Sequence, residues 1–492
     1  MSQLFQPLVI NGVTFENRML RSSVGGRTCN YDGTVTDVWK NFERRFAEGG
    51  VGGIISTTFH VNQDRLSPPQ YPSIAGPKFV PYLRKYIDAI KAGNRCRYIV
   101  QIGDPGYSAY SSLFTDRLDA KSSSGGFDFA FGYNNLRRSM LAAEIEKAVR
   151  DFADAAARVR DAGADGLEIT ITKGYLIHQF LNPAINRRND RWGGDADRRF
   201  EFLRQVIAAV RGRIGRDFLL GIRLSGEDLM SKPLLLALFR IPWRSGNGLE
   251  QMLDYAQRLK PDVDYLHVVA GYGFPNPRDV PGRFPFDEVK LFFNSVRHLS
   301  AKASVRAAFV NFSSVARPLL SAGWKYEEGV NLGLAREFKT RIGLPVIANG
   351  GFQRRSVMDE ALSSGGCDMI SMARSLIANP SLPRQYEQDA SRELPTNPCS
   401  HCNRCVGRTG TSPLGCYDLG RFVKAVELEE PKLKASERAK LTKADLEMER
   451  RKAERAMARQ IMEWNRPDPA VPEAAPHAYG VAATKRASGS AG

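Results

Sequence analysis

The chain has 492 residues, of which 42% are hydrophobic and 25% charged, as in globular proteins with one large domain or two. Its longest purely apolar run, 234–239, is too short to span a membrane, and MSQLFQPLVING does not resemble a signal peptide, so we expect a cytoplasmic protein. The net charge of +17 comes from Lys and Arg interleaved with acids, as in RRNDRWGGDADRRFEFLR, which argues against nucleic-acid binding. We expect a small-molecule substrate, no membrane partner and a possible homo-oligomer.

Eight short β-branched runs alternate with amphipathic stretches up to about residue 385. Eight strand–helix units predict an α/β fold, a closed (β/α)8 TIM barrel over residues 1–388. Long loops after the third, fifth and sixth strands would open on the face where barrel enzymes do chemistry. The apolar insert 230–248 would form a lid or pack against the rim. The predicted strands are 18–23, 53–58, 97–102, 165–170, 218–225, 264–270, 344–349 and 367–374.

The composition changes after residue 388. Residues 389–420 are rich in Cys, Gly and Pro and form a possible metal-binding segment. The charged segment 421–465 predicts a long helix, with Thr442 and Asp445 as a capping box. Residues 466–492 have the composition of a disordered tail.

Three polar side chains lie where the fourth strand ends, in GADGLEITITKGYLIHQFLNP (163–183). DGLEI has the pattern of a buried strand, and GYLIHQFL that of a loop leading into a helix. Thr170, Lys173 and Tyr175 therefore fall at the carboxyl end of a barrel strand, where such enzymes carry their catalytic groups.

A phosphate site is predicted at the last two strands. LPVIANGGF ends in Gly350 and Gly351, and MISMARSL places Arg374 after the eighth strand. In a barrel these loops are neighbours, and glycine amides beside an arginine fork bind phosphate well. The spacing favours a phosphorylated cofactor over a plain tight turn.

Several motifs resemble, in order over residues 3–385, the Old Yellow Enzyme family of flavin-dependent NADH:flavin oxidoreductases, which includes 2,4-dienoyl-CoA reductase-like barrels. The resemblance implies an FMN-containing barrel that takes hydride from NADH or NADPH. The motifs are LFQPLVINGVTFENRM, GGVGGIIS, GYLIHQFLNPAINRRNDRWGG, LGIRLS and LPVIANGGF with GGCDMISMARSLIANPSLP.

The resemblance also implies which residues contact FMN. Gln101 matches the glutamine that bonds the pyrimidine edge of the ring. Arg223 matches the arginine near N1 and O2, where a cation favours the anionic reduced flavin; the alternative is a salt bridge inside the barrel. The other matched positions are Ser23, Val24 and Gly25 after the first strand, and Gly350, Gly351, Ala373 and Arg374 at the phosphate.

The sequence departs from the family pattern at the substrate-facing positions. Most members carry histidine at the position of Thr170 and histidine or asparagine at that of Lys173, a pair that polarises the substrate carbonyl. Tyr175 matches the family's proton donor. Lys173 would stabilise enolate charge, or orient an acidic substrate. The alternatives are that Lys173 pairs with a nearby carboxylate, or that the site has lost ene-reductase chemistry. Asp104 and Tyr107 replace a histidine and an arginine of many relatives, and Tyr107 is a rival proton donor or a packing residue.

Four cysteines are spaced C-x2-C-x2-C-x10-C, namely Cys399, Cys402, Cys405 and Cys416. Relatives similar to dienoyl-CoA reductase and trimethylamine dehydrogenase carry a 4Fe–4S cluster just after the barrel. The alternatives are that cluster, a structural zinc held by thiolates or His401, and free thiols.

The leading hypothesis is an FMN oxidoreductase that uses NAD(P)H to reduce an activated alkene, an α,β-unsaturated carbonyl or acid. The alternatives are an iron–sulfur flavoprotein dehydrogenase or demethylase, and a flavin-binding protein without turnover. A barrel for another phosphate ligand fits poorly, because Gln101 and Arg223 match flavin positions together.

Overall fold

The computed structural model describes residues 2–62, 70–108, 120–127, 136–230, 245–273, 276–410, 412–429 and 443–466. Most of the predicted insert 230–248 lies outside these residues, as do Thr442 and the predicted tail beyond Arg466.

Eight parallel strands close into a barrel. Each strand pairs with the next in chain order, and the eighth pairs with the first. The predicted (β/α)8 barrel is therefore confirmed, and each strand falls within or one residue beyond its predicted range. The strands are β1 (Met19–Arg21), β2 (Gly53–Ile55), β3 (Arg97–Gly103), β4 (Gly166–Ile171), β5 (Leu219–Ser225), β6 (Tyr265–Val269), β7 (Val346–Asn349) and β8 (Met369–Met372).

Helices surround the barrel, and their buried apolar stripes form the main core with the outer faces of the strands. Each strand is followed by at least one helix, and a cluster of three helices precedes α10 in the β6–β7 connection. The helices are α1 (Asp37–Glu48), α2 (Val80–Lys91), α3 (Ala142–Asp161), α4 (Leu176–Leu181), α5 (Ala196–Ile214), α6 (Leu249–Leu259), α7 (Phe286–Val296), α8 (Ala301–Asn311), α9 (Ser313–Ser321), α10 (Leu332–Ile342), α11 (Arg355–Ser363), α12 (Arg374–Ala378), α13 (Leu382–Gln388), α14 (Arg404–Gly407), α15 (Leu419–Glu429) and α16 (Lys443–Trp464).

An N-terminal hairpin closes the amino end of the barrel. Leu8–Ile10 pairs antiparallel with Val13–Phe15, and Ile10 and Phe15 pack against Leu20, Ile55 and Ile99 in a cluster separate from the main core. The carboxyl ends of the strands are left for the functional site. Shorter elements are the strands Phe59–His60, Lys121–Ser122, Gly126–Phe127 and Leu136–Ser139, and the 3-10 turns Gln3–Phe5, Pro77–Phe79 and Gly106–Ser108.

The C-terminal helix α16 lies within the segment predicted to be a charged helix, and it packs on α15 and on α1. Two contacts fix its end. The Arg45 guanidinium lies over the Trp464 ring at 3.9 Å from the centroid, and the Asn41 amide donates to the Arg466 carbonyl at 2.7 Å. The segment after the barrel is therefore bound to the first βα unit.

Candidate active site

One cavity at the carboxyl ends of the strands brings together the predicted catalytic and cofactor-binding residues, except Gly350, whose neighbour Gly351 lines it. The predicted residues that line the cavity are Ser23, Val24, Gly25, Gln101, Thr170, Lys173, Tyr175, Arg223, Gly351, Ala373 and Arg374.

Gln101 is held at the base of the cavity by three side chains. Its carbonyl oxygen accepts from the Ser23 hydroxyl at 3.0 Å and from the Thr58 hydroxyl. Its amide nitrogen donates to Glu168 Oε1 at 2.6 Å. A primary amide has two N–H groups, so one is left for a ligand. Gln101 is thus oriented with a donor to spare, which suits a ring edge that presents acceptors.

Glu168 lies at the centre of a hydrogen-bond chain that we call the floor network, made of Gln101, Glu168, His267 and Ser371. Glu168 Oε2 accepts from His267 Nδ1 at 3.0 Å and from the Tyr265 hydroxyl at 3.1 Å. His267 Nε2 meets the Ser371 hydroxyl at 2.8 Å. Every member is buried, so the network fixes the inward-facing layer of the barrel beneath the cavity.

The floor network keeps one ionised carboxylate in the barrel. Burial alone would raise the pKa of the Glu168 carboxyl, but His267 and Arg223 beside it hold that pKa below its usual value. Burial lowers the pKa of His267, which favours a neutral ring that donates from Nδ1 and accepts at Nε2. Sequence reasoning missed this network. The available signal was a polar residue inside each of three apolar strands, in DGLEIT, DYLHVVA and CDMISMAR.

Three charges at the edge of the cavity form what we call the rim cluster: Lys173, Arg223 and Asp279. Lys173 Nζ lies 3.0 Å from Asp279 Oδ2, and Arg223 Nη2 lies 3.7 Å from Asp279 Oδ1. Arg223 Nε is buried and has no hydrogen-bond partner among the described residues. One carboxylate thus lies between two cations, and a buried N–H of Arg223 is left for a ligand.

The environment of Lys173 brings its pKa close to neutral. Burial lowers it to about 8, against the attraction of Asp279. Of the alternatives for Lys173, pairing with a carboxylate is the one this geometry displays, and the same side chain also lines the cavity. Asp279 follows β6, and sequence reasoning did not single it out.

The turn that carries Lys173 is held by a buried histidine. Lys173 and Gly174 have left-handed backbones, with φ of 58° and 71°. The Gly174 N–H donates to His178 Nδ1 at 3.1 Å, and His178 Nε2 lies 2.6 Å from Asp228 Oδ1. Asp228 also accepts from the Asn182 amide at 2.7 Å. His178 thus positions the turn between Lys173 and Tyr175, a role that the motif GYLIHQF did not reveal.

Tyr175 and Thr170 lie next to each other across Gly103. A Cβ atom at Gly103 would lie 2.7 Å from the Thr170 methyl and 3.2 Å from the Tyr175 ring, so glycine lets both approach β3. Burial raises the pKa of Tyr175 to about 12. The phenol therefore stays protonated at neutral pH, which a proton donor requires.

Arg374 lies at the end of the cavity where the sequence predicts a phosphate. Its Nη1 donates to the Pro281 carbonyl at 2.6 Å and to Asn403 Oδ1. Gly351 has a φ of 78°, which favours glycine, and a side chain there would meet Pro281. Arg374 therefore both lines the cavity and joins the barrel to the cysteine-rich segment.

Asp104 and Tyr107 lie beside the cavity rather than in its lining. Asp104 accepts from the Gly106 N–H at 2.8 Å, and the Tyr107 hydroxyl lies 3.1 Å from that of Tyr272. Tyr107 packs in a small apolar cluster with Ile185. Of its two predicted roles, the geometry favours packing.

The four clustered cysteines line a second, smaller cavity that shares Arg374, Ile377 and Cys405 with the first. All four are free thiols, and Cys416 Sγ accepts from Arg421 Nη1 at 2.9 Å. Within the described ranges, no three His, Cys, Asp or Glu side chains lie close enough together to hold a metal ion. The thiols fit a thiolate-bound cluster or zinc by kind and by shared cavity, but they do not converge on a point.

The His401 ring does not line the cavity that holds the four cysteines. Its ring stacks on Tyr326 with centroids 3.7 Å apart, and burial lowers its pKa to about 3. Its Nε2 has no hydrogen-bond partner among the residues that the structure describes. His401 therefore remains neutral, and its interpretation as a zinc ligand stays a prediction.

The cavity has a roof that sequence reasoning missed. Cys405, Val406, Thr409, Gly410 and Leu414 line it from outside the barrel. The Leu414 side chain lies so close to Gly26 that a Cβ atom there would be 2.3 Å from it.

The C-terminal helix supports this roof. The Asn465 amide donates to the Leu414 carbonyl at 3.4 Å, and a Cβ atom at Gly415 would lie 2.9 Å from Ile461. Segments from both ends of the chain therefore meet over the cavity.

The residues present fit a flavin mononucleotide. The free N–H of Gln101 and the unpartnered Nε of Arg223 are buried donors suited to the polar edge of the ring system. Gly25 lies against the Tyr71 hydroxyl at a distance that admits no side chain. Gly351, Ala373 and Arg374 at the other end offer a backbone turn and a cation for a phosphate.

Known proteins are similar to this chain over most of its length. Residues 3–237 and 306–393 match the sequence model of the NADH:flavin oxidoreductase / NADH oxidase family. The 4,4'-dithiodibutanoate disulfide reductase of Rhodococcus erythropolis is 26% identical over 412 residues, which cover 82% of this chain and 92% of that protein.

Two further matches differ in their coverage. The multifunctional alkene reductase/demethylase OYE of Caballeronia cordobensis is 26% identical over 406 residues, 82% of this chain and 51% of that protein. The structure of the old yellow enzyme homologue from Zymomonas mobilis superposes with a TM-score of 0.58 at 21% identity, over 80% of this chain and 94% of that one. The chain thus spans about half the length of several curated relatives that it matches.

Proposed function

The chain belongs to the NADH:flavin oxidoreductase / NADH oxidase family, and on that premise we propose that it uses FMN and NADH or NADPH to reduce an activated alkene, an α,β-unsaturated carbonyl or acid. The observation that carries the proposal is the placement of Tyr175, protonated at neutral pH, in the same cavity as Gln101 and the partly unpartnered Arg223. Bound FMN supplies hydride transfer, and the chain's own residues supply binding, orientation and protons.

The proposed roles follow from position and charge. Gln101 and Arg223 hold the polar edge of the ring, and the Arg223 charge favours electron-rich states there. Gly351 and Arg374 hold the phosphate, beside Gly350. Ser23, Val24 and Gly25 lie along the ring face, and Ala373 lies beside Arg374.

On the substrate side, Tyr175 would give a proton to the carbon next to the carbonyl, and bound reduced FMN would supply the hydride for the β-carbon. The Thr170 hydroxyl and the charged end of Lys173 stabilise the oxygen on which negative charge develops. Lys173 is oriented by its ion pair with Asp279, whereas a histidine at this position would present a flat, fixed hydrogen-bonding edge. This favours substrates that carry an acidic group over simple enones.

The test begins with anaerobic spectra of the full chain loaded with FMN. Adding NADPH or NADH should bleach the flavin bands, and an alkene such as cinnamic acid or 2-cyclohexenone should restore them. Tyr175→Phe should keep the bleaching but slow the alkene step by about 10²-fold, the usual contribution of a proton donor. Tyr107→Phe is the matched control, because Tyr107 lies outside the cavity lining.

Two outcomes contradict the proposal. One is a bound flavin that NADPH and NADH leave oxidised, which would favour a flavin-binding protein without turnover. The other is reoxidation by 4,4'-dithiodibutanoate and not by the alkenes. That result would assign to this chain the disulfide chemistry named for the Rhodococcus erythropolis relative.

A second candidate function is an iron–sulfur flavoprotein dehydrogenase or demethylase. It is favoured by the cavity that Cys399, Cys402 and Cys416 share with Cys405, which also lines the first cavity. A cluster held there would pass electrons out of the flavin site. Iron and acid-labile sulfide would be measured in anaerobically purified protein and in Cys416→Ala, with Cys367→Ala as a buried-cysteine control. Zinc in the parent, or an absence of metal that leaves alkene reduction intact, would argue against this candidate.

A further inference from the structure

The helices in the connection after β6 expose an unusual amount of apolar surface. Val305, Phe309 and Phe312 recur at helical spacing along α8 and its end, and Val315 and Leu319 continue on α9. Phe312 and Leu319 are each 62% exposed, and Val305 is 71% exposed. We call these five residues the outer face. Leu291 and Leu299, in the same connection, are also exposed.

The outer face is additional to the face that packs inward. Phe292, Phe293, Val296, Ala303, Ala307 and Val310 form a buried cluster between α7 and α8, and Leu320 of α9 packs against it. A surface helix normally has one apolar stripe and one polar face. Here α8 is apolar on both sides, so its outward side chains are left without the burial that usually accounts for them.

The connection that carries the outer face contains basic side chains but no acidic ones over residues 289–325. Residues 289–325 contain six basic residues, Lys290, Arg297, Lys302, Arg306, Arg317 and Lys325, and neither Asp nor Glu. Arg297 is exposed beside exposed Leu299. Arg317 meets Asp287, which precedes the segment, and Lys325 meets Glu327, which follows it.

We propose that the outer face docks on the surface of a membrane containing anionic lipids. Helices with Phe, Leu and Val on one side and cations around them lie in the headgroup layer, where apolar side chains enter the acyl boundary and the cations meet phosphates. This is peripheral contact. No helix in the described part of the chain is long and apolar enough to cross a bilayer.

A second copy of the chain fits this face less well. In a two-fold dimer the same patch meets itself. Residues 289–325 would then bring twelve cations together without one acidic side chain from the same segment to pair with them. Anionic headgroups supply the negative charge that residues 289–325 lack.

The experiment uses the full chain with vesicles of phosphatidylcholine alone or mixed equally with phosphatidylglycerol. Sedimentation should leave the protein in solution with the first and carry it down with the second. Phe309→Ser/Phe312→Ser should lower the bound fraction on mixed vesicles by about tenfold or more, because both rings leave the acyl boundary. Arg297→Glu should weaken binding less.

Controls separate docking from general attraction by a basic protein. Val9→Ser and Met462→Ser remove apolar side chains elsewhere on the surface that are 61% and 72% exposed. Both variants should bind mixed vesicles as the parent does. Raised salt should remove residual binding of the double variant before that of the parent. Unchanged circular dichroism and retained FMN would show that the double variant is folded.

Three results would overturn the proposal. The parent chain could remain in solution with both vesicles. The double variant could bind as the parent does, which would leave only charge attraction. Light scattering could show a parent dimer that the double variant converts to monomer, which would assign the outer face to a contact between copies.

Discussion

The floor network lies beneath the cavity, and the rim cluster lies at its edge. Both contain buried charged groups, but the two sets of groups differ in how completely they are hydrogen-bonded. In the floor network, both carboxylate oxygens of Glu168 and both ring nitrogens of His267 have protein partners within 3.1 Å. In the rim cluster, Asp279 is shared between Lys173 at 3.0 Å and Arg223 at 3.7 Å, and Arg223 Nε is left over.

This difference distinguishes residues that stabilise the barrel from residues that are available to bind a ligand. Glu168 and His267 form a buried pair with a single arrangement and no group left for a ligand, so they contribute rigidity. Gln101 and Arg223 each keep an N–H for a ligand, and an incompletely satisfied cation costs free energy until a ligand meets it, so these two contribute binding. Variants of Glu168 and His267 should therefore change stability, and variants of the rim should change chemistry.

The largest effect is expected at the centre of the floor. Glu168→Ala removes the acceptor of three buried donors, and we expect the free energy of unfolding to fall by about 3 kcal/mol. The Glu168 pKa is lowered in the folded state, so its contribution is present at neutral pH and is lost as pH falls through that value. Denaturant titration at neutral pH measures the change.

The control for this change is Glu48→Ala, whose side chain is 55% exposed. It should alter the free energy of unfolding by less than about 0.5 kcal/mol. Equal losses in the two variants would contradict the assignment of Glu168 to the scaffold.

At the rim, Arg223→Met should slow reduction of bound flavin by NADPH about 10²-fold, because a fixed buried cation no longer favours charge on the ring. Stopped-flow absorbance measures this rate.

Arg211→Ala is the matched control, because this buried arginine donates to the Asp262 and Phe218 carbonyls away from the cavity. It should lower stability and leave the rate unchanged. A parental rate of flavin reduction in Arg223→Met would contradict the proposed role of the Arg223 charge.

The pKa of Lys173 gives a finer test of the rim. Asp279→Asn removes the group that holds this pKa up to about 8, so the pKa should fall further. Competitive amine labelling followed by mass spectrometry reports it, with exposed Lys85 as the internal reference. An unshifted labelling curve would mean that Asp279 does not set the charge of Lys173.

Asp279→Asn should also change how the free energy of unfolding depends on pH. Unfolded lysine has a pKa of about 10.4. Between about pH 8 and about pH 10.4 the unfolded state therefore binds more protons at Lys173 than the folded state does, so stability rises with pH across that window. In Asp279→Asn the rise should begin at lower pH.

The smallest effect is expected at the edge of the floor. Ser371→Ala removes one hydrogen bond to His267 Nε2 and should cost about 1 kcal/mol of unfolding free energy, with flavin reduction unchanged. Thermal unfolding and stopped-flow absorbance together check this. A loss as large as that of Glu168→Ala would mean that the network fails as a unit.

Strand periodicity and turn chemistry predicted the barrel because both are local properties of the sequence. They placed Thr170, Lys173 and Tyr175 where the fourth strand ends. The family resemblance added Gln101 and Arg223, and the structure gathers all five in one cavity. Asp279 and Leu414 were missed because each acts through contacts with segments far away in the chain. Lys173 shows the limit most clearly, since its type and position were visible while its partner was not.

The roof over the cavity also sets an order of events during synthesis. Ser23 to Gly25 are made first, and Thr409, Gly410 and Leu414, which face the same space, are made after the eighth strand. The residues that cover the cavity are therefore synthesised after every strand that forms its walls. A chain truncated after the eighth strand would lack Thr409, Gly410 and Leu414, so its cavity should be more open to solvent.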